Sequence, residues 1–315
     1  MPSGSPSTLL ARWPSANPAS AIPVLGRALT SSRPGISTGR RAVQIRPFRL
    51  PASEANGREG RNMFVVREMD GATEKVDVFV EDPTAPTAGD RDRKGKGKAA
   101  AQEDDGDEVM VAEVEASANT AGSVTHSRWT HCSVGLPPSA SSAGASGAGV
   151  GALFDTFIQR ALFAPPGPGG QPAQRDTPAW QPRAQAVSLE GYTFVVGAAS
   201  PGAGGGDWEV KVSSVGLKGG TASGTTRGCI IEVAYLPVPY LPADSTFVKD
   251  FLLSLFPPAA VKNGEIEVVD IKEDAFIDAG LLDPPADASE EGEWEWRAKH
   301  TSFAYVHQFK KEGLL

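Results

Sequence analysis

The sequence predicts an α+β protein: a single antiparallel β-barrel-like domain of about eight strands, with flanking helices and long disordered insertions. Three observations lead to this prediction. Apolar residues alternate with polar ones in several short segments, which is typical of half-buried strands. Only three or four segments have helical spacing, and they do not alternate regularly with the strands, as a parallel doubly wound sheet would require. Four further stretches are rich in proline, glycine, small or charged residues.

The clearest strands show strict alternation and are enriched in β-branched and aromatic residues, which favours strands over buried helices. They are segments 76–80, 208–217 and 228–236. In the second of these, Trp208, Val210 and Val212 share one face. Gly219 and Gly220 follow it and suit an antiparallel connection to the next strand. The weaker strand candidates are 43–49, 62–68, 109–114, 127–135 and 192–197.

Helical spacing of apolar residues occurs in segments 19–29, 153–163 and 247–256. Asp244 and Ser245 fit an N-cap for the last of these, and Pro257 and Pro258 end it. The stripe of the middle segment consists of Leu153, Phe154, Phe157, Ile158 and Leu162. The C-terminal segment 302–311 fits two structures. Its residues alternate like a strand at Phe303, Tyr305, His307 and Phe309, or form a helical face at Phe303, Val306 and Phe309.

Low-complexity stretches are expected to be disordered insertions into one domain that spans residues 1–315. They are 83–107, 137–151, 165–185 and 278–293. Loops of this length are uncommon inside a compact domain and usually lie on its surface. Without them, roughly 230 residues remain, which is a reasonable size for one domain. The 35 glycines and 26 prolines therefore indicate a folded domain diluted by loops.

Composition also excludes several classes of protein. Two cysteines, Cys132 and Cys229, cannot form a disulfide scaffold. They could form one disulfide with each other, but isolated thiols of an intracellular protein are expected. No stretch approaches 18 consecutive apolar residues, so no membrane span is predicted, and no secretory signal is visible.

The charge is unevenly distributed along the chain, whose net charge is -8. Nine arginines and two glutamates lie in residues 1–61, and these arginines are expected to be solvated. A basic run at 91–98 leads into an acidic run at 103–108, a pattern typical of a linker, although the basic half also fits a nuclear-import signal or a weak nucleic-acid patch. No aromatic residue lies among its lysines, and the acidic chain argues against a dedicated DNA-binding domain.

Short matches to catalytic motifs lack the structural context that the chemistry requires. The G-x-G-x-x-A match at 147–152 follows a Pro/Ser-rich stretch instead of the strand that a dinucleotide site needs. The G-x-S-x-G match around Ser37 is followed by a predicted strand, whereas a nucleophile elbow is followed by a helix.

The histidines and cysteines do not form a recognisable site either. His126, His131 and Cys132 lie close in sequence but supply too few ligands for a zinc site, which needs about four. His300 and His307 have no evident carboxylate or nucleophilic partner in the sequence. We therefore expect no catalytic, cofactor-binding or metal site, and a binding or structural role instead of an enzymatic one.

Three consecutive segments resemble a known family. They read WEVKVSSVG at 208–216, RGCIIEVAY at 227–235, and the apolar helix 247–256. In this order they resemble subunit 20 of Mediator, the coactivator complex that connects transcription factors with RNA polymerase II. Trp13 and Pro14 strengthen the resemblance, because the family begins with a similar aromatic-proline strand. The C-terminal match covers about 60 residues, and the low-complexity stretches have no counterpart in the family.

The resemblance has several implications. It implies an antiparallel β-barrel with helices, a helical C-terminus, a nuclear location and a role in the Mediator head module. It implies a heterodimer with Mediator subunit 18 and contact with a C-terminal helix of subunit 8, with no direct nucleic-acid binding, no membrane and no cofactor. Tryptophans are interface candidates by residue type, and the sequence does not say which of them contact a partner. They are Trp129, Trp180, Trp208, Trp294 and Trp296, of which Trp208 is expected in the core.

An alternative comes from the arginine-rich and serine-rich start, since no acid precedes Glu54. Such a start also fits a mitochondrial leader. The alternative is a mitochondrial protein with a cleaved leader and an unidentified activity. Pro14, Pro18 and Pro23 argue against it, because they interrupt any long amphipathic helix.

Overall fold

A mostly antiparallel sheet with few helices forms the structure, a computed structural model. It describes residues 4–52, 60–70, 73–85, 128–136, 180–197, 206–242, 244–282 and 295–315. The strands are β1 Gly4–Pro6, β2 Thr8–Trp13, β3 Ile36–Leu50, β4 Arg61–Asp70, β5 Thr73–Glu81, β6 Trp129–Leu136, β7 Gln181–Pro182, β8 Ala186–Val196, β9 Trp208–Lys218, β10 Thr226–Tyr235, β11 Tyr240–Pro242 and β12 Glu267–Val268. The helices are α1 Pro18–Ser31, α2 Phe247–Leu253, α3 Pro258–Lys262, α4 Glu273–Asp278 and α5 Ala298–Lys311.

Ten of these strands form one sheet in the order β12-β2-β10-β9-β8-β3-β4-β5-β6, with β7 added beside β3. All its neighbouring strands are antiparallel. The N-terminal strand β2 lies between β10 and β12, so the start of the chain is an interior part of the sheet. β1 and β11 form a separate two-stranded sheet.

The expectation of a barrel needs correction, because the sheet is curved but not closed. Among the described strands, β6 and β12 form the two ends of the order and do not pair with each other. Helix α5 packs on the concave side and reaches both ends of the sheet. Lys310 of α5 contacts Glu81 on β5, and Glu312, just after the helix, contacts Arg12 on β2. The two sides of the sheet are therefore joined through the helix and not by hydrogen bonds between β6 and β12.

The main core lies between the concave face and α5. Inward side chains from eight strands surround the helix; Val43, Ile45, Val215 and Leu217 belong to this set. From α5, buried residues point in every direction around the helix and include Phe303, Ala304, Tyr305, Val306 and Phe309. The C-terminal segment is therefore a helix, and it is a core element of the fold.

A second core covers the convex face of β2, β8, β9 and β10. Helices α1 and α2 pack there through Leu25, Leu29, Val248 and Leu252. Helix α1 begins after Asn17, whose side-chain oxygen accepts a hydrogen bond from the backbone N–H of Ala19 at 3.0 Å, which is typical of an N-cap.

A third apolar cluster lies on the convex face of β3 to β6. We call it the outer apolar face. Its buried members are Phe48, Met63, Val65 and Val76, and its partly buried members are Val78, Val80, Val134 and Trp180.

Most predicted elements that fall on described residues are present. Seven predicted strands and two predicted helices correspond to observed elements. The strands are 43–49 (β3), 62–68 (β4), 76–80 (β5), 127–135 (β6), 192–197 (β8), 208–217 (β9) and 228–236 (β10), and the helices are 19–29 (α1) and 247–256 (α2). Helix α2 ends at Leu253, earlier than the predicted stop at Pro257 and Pro258, and these prolines begin α3. The predicted strand 109–114, the predicted helix 153–163 and most of the four predicted insertions lie outside the described residues. Of the stretch 278–293, residues 278–282 are described, and Ala279 and Leu281 are buried in the main core.

Candidate functional site

Charged side chains cluster at one end of the concave face, beside the N-terminal half of α5. We call Arg41, Glu68, Lys211, Glu232 and Tyr305 the inner charge cluster. Arg41 and Glu232 are almost fully buried, with exposed fractions of 3% and 5%. Strands β3, β4, β9 and β10 each present one of the four charged residues to the same space, because alternate residues of a strand point to the same face.

Each charged group of the inner charge cluster has a partner of opposite charge within the cluster. Arg41 donates to Glu68 at 2.7 Å and to the Tyr305 hydroxyl at 3.1 Å. Tyr305 donates to Glu232 at 2.7 Å, and Lys211 lies 3.5 Å from the same carboxylate. Two cations and two carboxylates therefore balance around one hydroxyl.

The electrostatics of this network hold Glu232 and Tyr305 each in one protonation state. Burial alone would raise the pKa of Glu232, but Lys211 and Arg41 outweigh it, so the net shift is downward. Burial raises the pKa of the Tyr305 phenol well above its usual value, although Arg41 opposes that shift. Tyr305 is thus a neutral donor and Glu232 an ionised acceptor. A general acid or base would need a pKa near the working pH.

Two carboxylates of β5 bind other parts of α5. Asp77 accepts a hydrogen bond from Ser302 at 2.7 Å, and it lies 3.0 Å from His131 Nε2 and 2.9 Å from Lys75 Nζ. Burial would raise the pKa of Asp77, but the hydrogen bonds from His131, Ser302 and Lys75 hold it below its usual range. Asp77 therefore ties β5 and β6 to the start of α5.

Glu81 is the second of these carboxylates, four residues further along β5 on the same face. Its oxygens lie 2.5 and 2.6 Å from Lys310 Nζ. Arg128 and Asn62 each donate to it at 3.2 Å. These contacts outweigh burial and lower the pKa of Glu81.

Two of the histidines named from the sequence, His300 and His307, lie in helix α5, where burial and hydrogen bonding fit a structural role. His300 lies at the first turn of α5, where its Nδ1 accepts a hydrogen bond from the Arg297 N–H at 2.7 Å and its Nε2 lies 3.2 Å from the Leu281 carbonyl. This arrangement requires the neutral Nε2–H tautomer, and burial lowers the pKa of His300 to about 4. Burial also lowers the pKa of His307. His126 lies outside the described residues.

The remaining sequence candidates do not come together. Ser37 is an exposed residue within β3, not at a strand-to-helix turn. Cys132 is exposed on β6 and Cys229 is buried on β10, where burial raises its thiol pKa to about 11. Residues 147–152 lie outside the described part of the chain. Within that part, no group of three or more His, Cys, Asp or Glu could hold a metal ion, and no helix is long and apolar enough to cross a membrane.

A surface feature lies on the convex side, just after β10. Trp208 stacks on Phe251 with ring centroids 3.9 Å apart, and Phe247 contacts both Trp208 and Tyr235 at about 5 Å. Between residues 236 and 247 the chain exposes three large apolar side chains. We call them the apolar ridge: Leu236, Tyr240 and Phe247, with exposed fractions of 54%, 37% and 47%.

Of the five candidate tryptophans, Trp208 and Trp129 are buried. Trp208 belongs to the second core, as expected, and Trp129 to the main core. Trp180 and Trp296 are partly buried against the outer apolar face and the main core. Trp294 lies outside the described residues. The sequence did not reveal the inner charge cluster, because its side chains come from strands and a helix that are distant in sequence. It did not reveal the apolar ridge either, because residue type alone does not tell an exposed apolar side chain from a buried one.

Comparisons with known proteins include two distant likenesses among solved structures. No protein-family model matches the chain, and no curated protein matches it. Among solved structures, the PH1819 protein of Pyrococcus horikoshii OT3 is similar with 8% identity and a TM-score of 0.29, over 79% of this chain and 85% of that chain. A chain of the Schizosaccharomyces pombe Mediator head module is similar with 7% identity and a TM-score of 0.26, over 82% of this chain and 91% of that chain. Both TM-scores are below 0.5, so neither structure shows that it shares a fold with this chain.

Proposed function

We propose that this protein is a non-catalytic subunit of the Mediator head module and acts through protein–protein contacts. The observation that carries the proposal is the order of segments that resembles Mediator subunit 20. In the fold these segments form one unit: β9 pairs with β10, and α2 packs on their convex face. Trp208 of the first segment stacks on Phe251 of the last. The residues of the resemblance are thus mutual neighbours.

Within this proposal, the apolar ridge is the contact surface. A solvent-exposed group of large apolar side chains is typical of a protein-interaction site. Here the aromatic ring of Phe247 rests on Trp208 and Tyr235, so its exposed face is held in one orientation. A rigid aromatic anchor loses little conformational entropy on binding and therefore favours association.

The proposed partners are Mediator subunit 18, as a heterodimer, and a C-terminal helix of subunit 8. The protein acts in the nucleus, and it influences RNA polymerase II through the assembled complex. It binds no nucleic acid directly and needs no cofactor. The paired state of the inner charge cluster supports a structural role for these buried charges.

The alternative, a cleaved mitochondrial leader, would remove elements that belong to the fold. Loss of the first few dozen residues would remove β2 from between β10 and β12, and α1 from the second core. Arg12 would be lost with β2, leaving Glu312 without its ion pair. N-terminal sequencing of the native protein distinguishes the two proposals: retention of Trp13 supports the Mediator role, and its loss supports the leader.

The central test is co-purification of the full-length chain with subunit 18 of the same organism, after co-expression. We expect a stable heterodimer for the unmodified chain and at least a tenfold loss of affinity for the double variant Leu236→Asp/Phe247→Ser, because each exposed apolar anchor contributes about 1 kcal/mol or more. Met69→Ser is the matched control, since Met69 is 38% exposed on β4, three strands away from β9.

Two results would contradict the proposal. One is a well-folded chain with no measurable affinity for subunit 18. The other is a ridge variant that binds as well as the unmodified chain, which would remove the ridge as the contact surface. Circular dichroism of each variant shows whether a loss of binding comes from the surface or from unfolding.

A further inference from the structure

Strand β6, at one end of the sheet, is paired on one edge only among the described strands. It pairs with β5 through eight consecutive residue pairs without a bulge. Thr130, Cys132 and Ser133 of this strand are exposed. Proteins usually protect such an edge with lysine, proline or a bulge, or by keeping the strand very short. β6 has none of these protections, whereas β12 at the other end of the sheet is only two residues long. The free edge of β6 is therefore suited to pairing with another strand.

The hydrogen bonds between β5 and β6 identify the backbone groups on this edge. The N–H of Asp82 donates to the carbonyl of Arg128 at 2.8 Å, and these two residues lie directly opposite each other. In an antiparallel ladder every second residue bonds to the same neighbouring strand, so the even-numbered residues of β6 bond to β5. The N–H and C=O groups that point to the free edge are those of residues 129, 131, 133 and 135.

A cavity of about 410 Å³ lies between the start of β6 and helices α4 and α5. Its lining includes Trp129 and Phe303, whose ring centroids are 5.5 Å apart, and Ala275 of α4. Helix α4 begins five residues after β12, so the cavity lies where the two ends of the described sheet are not paired. Residues directly opposite each other in an antiparallel pair place their side chains on the same face. A partner residue opposite Trp129 would therefore direct its side chain into this cavity.

The charged residues of the cavity are Arg128, Lys310, Lys311, Glu81 and Asp278. The side chain of Glu81 is 2% exposed and pairs with Lys310 and Arg128, whose side chains are 39% and 31% exposed. Lys310 Nζ also lies 5.2 Å from the centre of the Trp129 ring, and Lys311 is exposed. The cations therefore reach the surface while Glu81 lies beneath them, and this arrangement favours an acidic partner.

We propose that β6 binds an extended acidic segment of another protein, which adds a strand to the sheet and places one large apolar side chain in the cavity. In this mode of recognition, backbone hydrogen bonds supply the affinity and the pocket for a side chain supplies the specificity. β6 lies five strands away from β9 in the sheet order, so this surface is separate from the apolar ridge. The inference does not depend on the Mediator proposal.

Fluorescence anisotropy with a labelled synthetic peptide tests the proposal on the full chain. The peptide is Thr-Val-Asp-Asp-Phe-Asp-Asp-Val-Thr, and its control has lysine at the four aspartate positions. We expect saturable binding that weakens as salt is added, and at least about tenfold weaker binding of the control. Lys311→Glu should weaken binding of the acidic peptide at least about fivefold. Lys249→Glu on α2 changes the net charge equally at another exposed position and should leave the binding unchanged.

A second pair of variants tests the backbone pairing. Ser133→Pro removes an N–H that points to the free edge and none that bonds to β5, a position where a strand tolerates proline. Ser133→Ala is the matched control, because both variants lose the hydroxyl that bonds to Asp77 and only the proline variant loses the N–H. We expect about fivefold weaker binding for Ser133→Pro than for Ser133→Ala. Circular dichroism shows whether each variant is folded.

Several results would overturn the proposal. They are no binding of the acidic peptide, equal binding of the lysine peptide, and equal affinities of Ser133→Pro and Ser133→Ala for the acidic peptide. Sedimentation velocity of the chain alone tests a different occupant. Self-association that Ser133→Pro abolishes would assign the edge to a second copy of the chain, and it would also overturn the proposal.

Discussion

Arg12 and Glu312 are 300 residues apart in sequence and form a two-pronged ion pair. Arg12 Nε and Nη2 each donate to one oxygen of the carboxylate at 2.8 Å. The guanidinium also donates to the backbone carbonyls of Cys229 at 2.7 Å and Arg227 at 2.8 Å. One side chain thus joins β2, β10 and the end of α5. Planar guanidinium groups suit such simultaneous contacts better than lysine would.

Replacement of Arg12 by Met should lower the free energy of unfolding by about 3–5 kcal/mol, because it leaves a part-buried carboxylate and two carbonyls without their donor. Urea denaturation measures the effect. Arg61→Met is the control: its guanidinium pairs with Asp82 at 2.6 Å but is half exposed, and such pairs contribute about 1 kcal/mol or less. Equal losses for both variants would mean that the buried pair contributes no more than a surface pair.

Acid should destabilise the protein through Asp77, Glu81, Glu232 and Glu312, whose pKa values all lie below their usual range in the folded protein. Because the folded pKa is the lower one, this stability is fully present above the unfolded pKa of roughly 4 and is lost as the pH falls below it. Urea midpoints measured from pH 7 to pH 3 should therefore drop steeply at the acid end. Asp77→Asn should flatten the drop, and exposed Glu190→Gln should not.

His300 should also make the stability of the protein depend on pH, in a higher pH range than the four carboxylates do. Its folded pKa of about 4 lies below the roughly 6.5 of an unfolded histidine. Between these values the unfolded chain binds a proton that the folded chain does not, so stability falls as the pH decreases from about 6.5 to 4. The variant His300→Asn keeps a hydrogen-bond acceptor but cannot be protonated, and it should reduce the slope of melting temperature against pH. His307→Asn should remove part of the remaining slope, because burial also lowers the pKa of His307. An unchanged slope in His300→Asn would refute this.

Gly191 on β8 is a position where a methyl group cannot be accommodated. A Cβ there would lie 1.8 Å from the Val212 carbonyl oxygen, which is backbone and cannot move aside. Gly191→Ala should therefore lower the free energy of unfolding by about 3 kcal/mol or more, or prevent folding. Gly39→Ala on the neighbouring strand is the control, because nothing lies within 4 Å of the point that its new methyl group would occupy. Thermal denaturation of both variants measures the difference.

Thiol labelling should distinguish the two cysteines. Cys132 is exposed, whereas Cys229 is buried with a thiol pKa raised to about 11, and the thiolate is the reactive form. One thiol per chain should react with a maleimide at pH 7 in the native state, and two in denaturant. In Arg12→Met, which loses the contact with the Cys229 carbonyl, the second thiol should become reactive more quickly. Rapid labelling of both native thiols would contradict the burial of β10.

The strands β9 and β10 were predictable from the sequence although both of their faces are covered, because the polar residues Lys211 and Glu232 on the concave face preserve the alternation. β9 and β10 alternate regularly along most of their length, and the apolar stripe of α2 packs on the second core. In contrast, β2 was missed as a periodic segment because apolar residues lie on both of its faces. Leu10 and Arg12 face α5, while Leu9 and Ala11 face the second core. A strand with apolar residues on both faces carries no period-two signal.

Burial on all sides also explains why the sequence of segment 302–311 fitted both a helix and a strand. Helix α5 is surrounded by the sheet, so its apolar residues form no single stripe, and spacing could not separate helix from strand. A barrel was expected from the alternating strands and the family resemblance, but local patterns do not show whether the end strands β6 and β12 pair with each other. Arg12 and Arg41 were expected to be solvated but are buried, with 1% and 3% exposed. Their partners Glu312 and Glu232 are too distant in sequence for local patterns to connect them.

The interior position of β2 has a consequence for synthesis on the ribosome. Arg12 of β2 pairs with Ile230 on one side and Glu267 on the other, so neither neighbour exists when residues 8–13 leave the exit tunnel. The strand must wait until roughly 250 further residues have been translated before it is paired on both edges. Pairings between such distant segments are slow to form. Throughout that interval Leu9, Leu10 and Trp13 lack at least one of the neighbouring strands that flank them in the folded sheet.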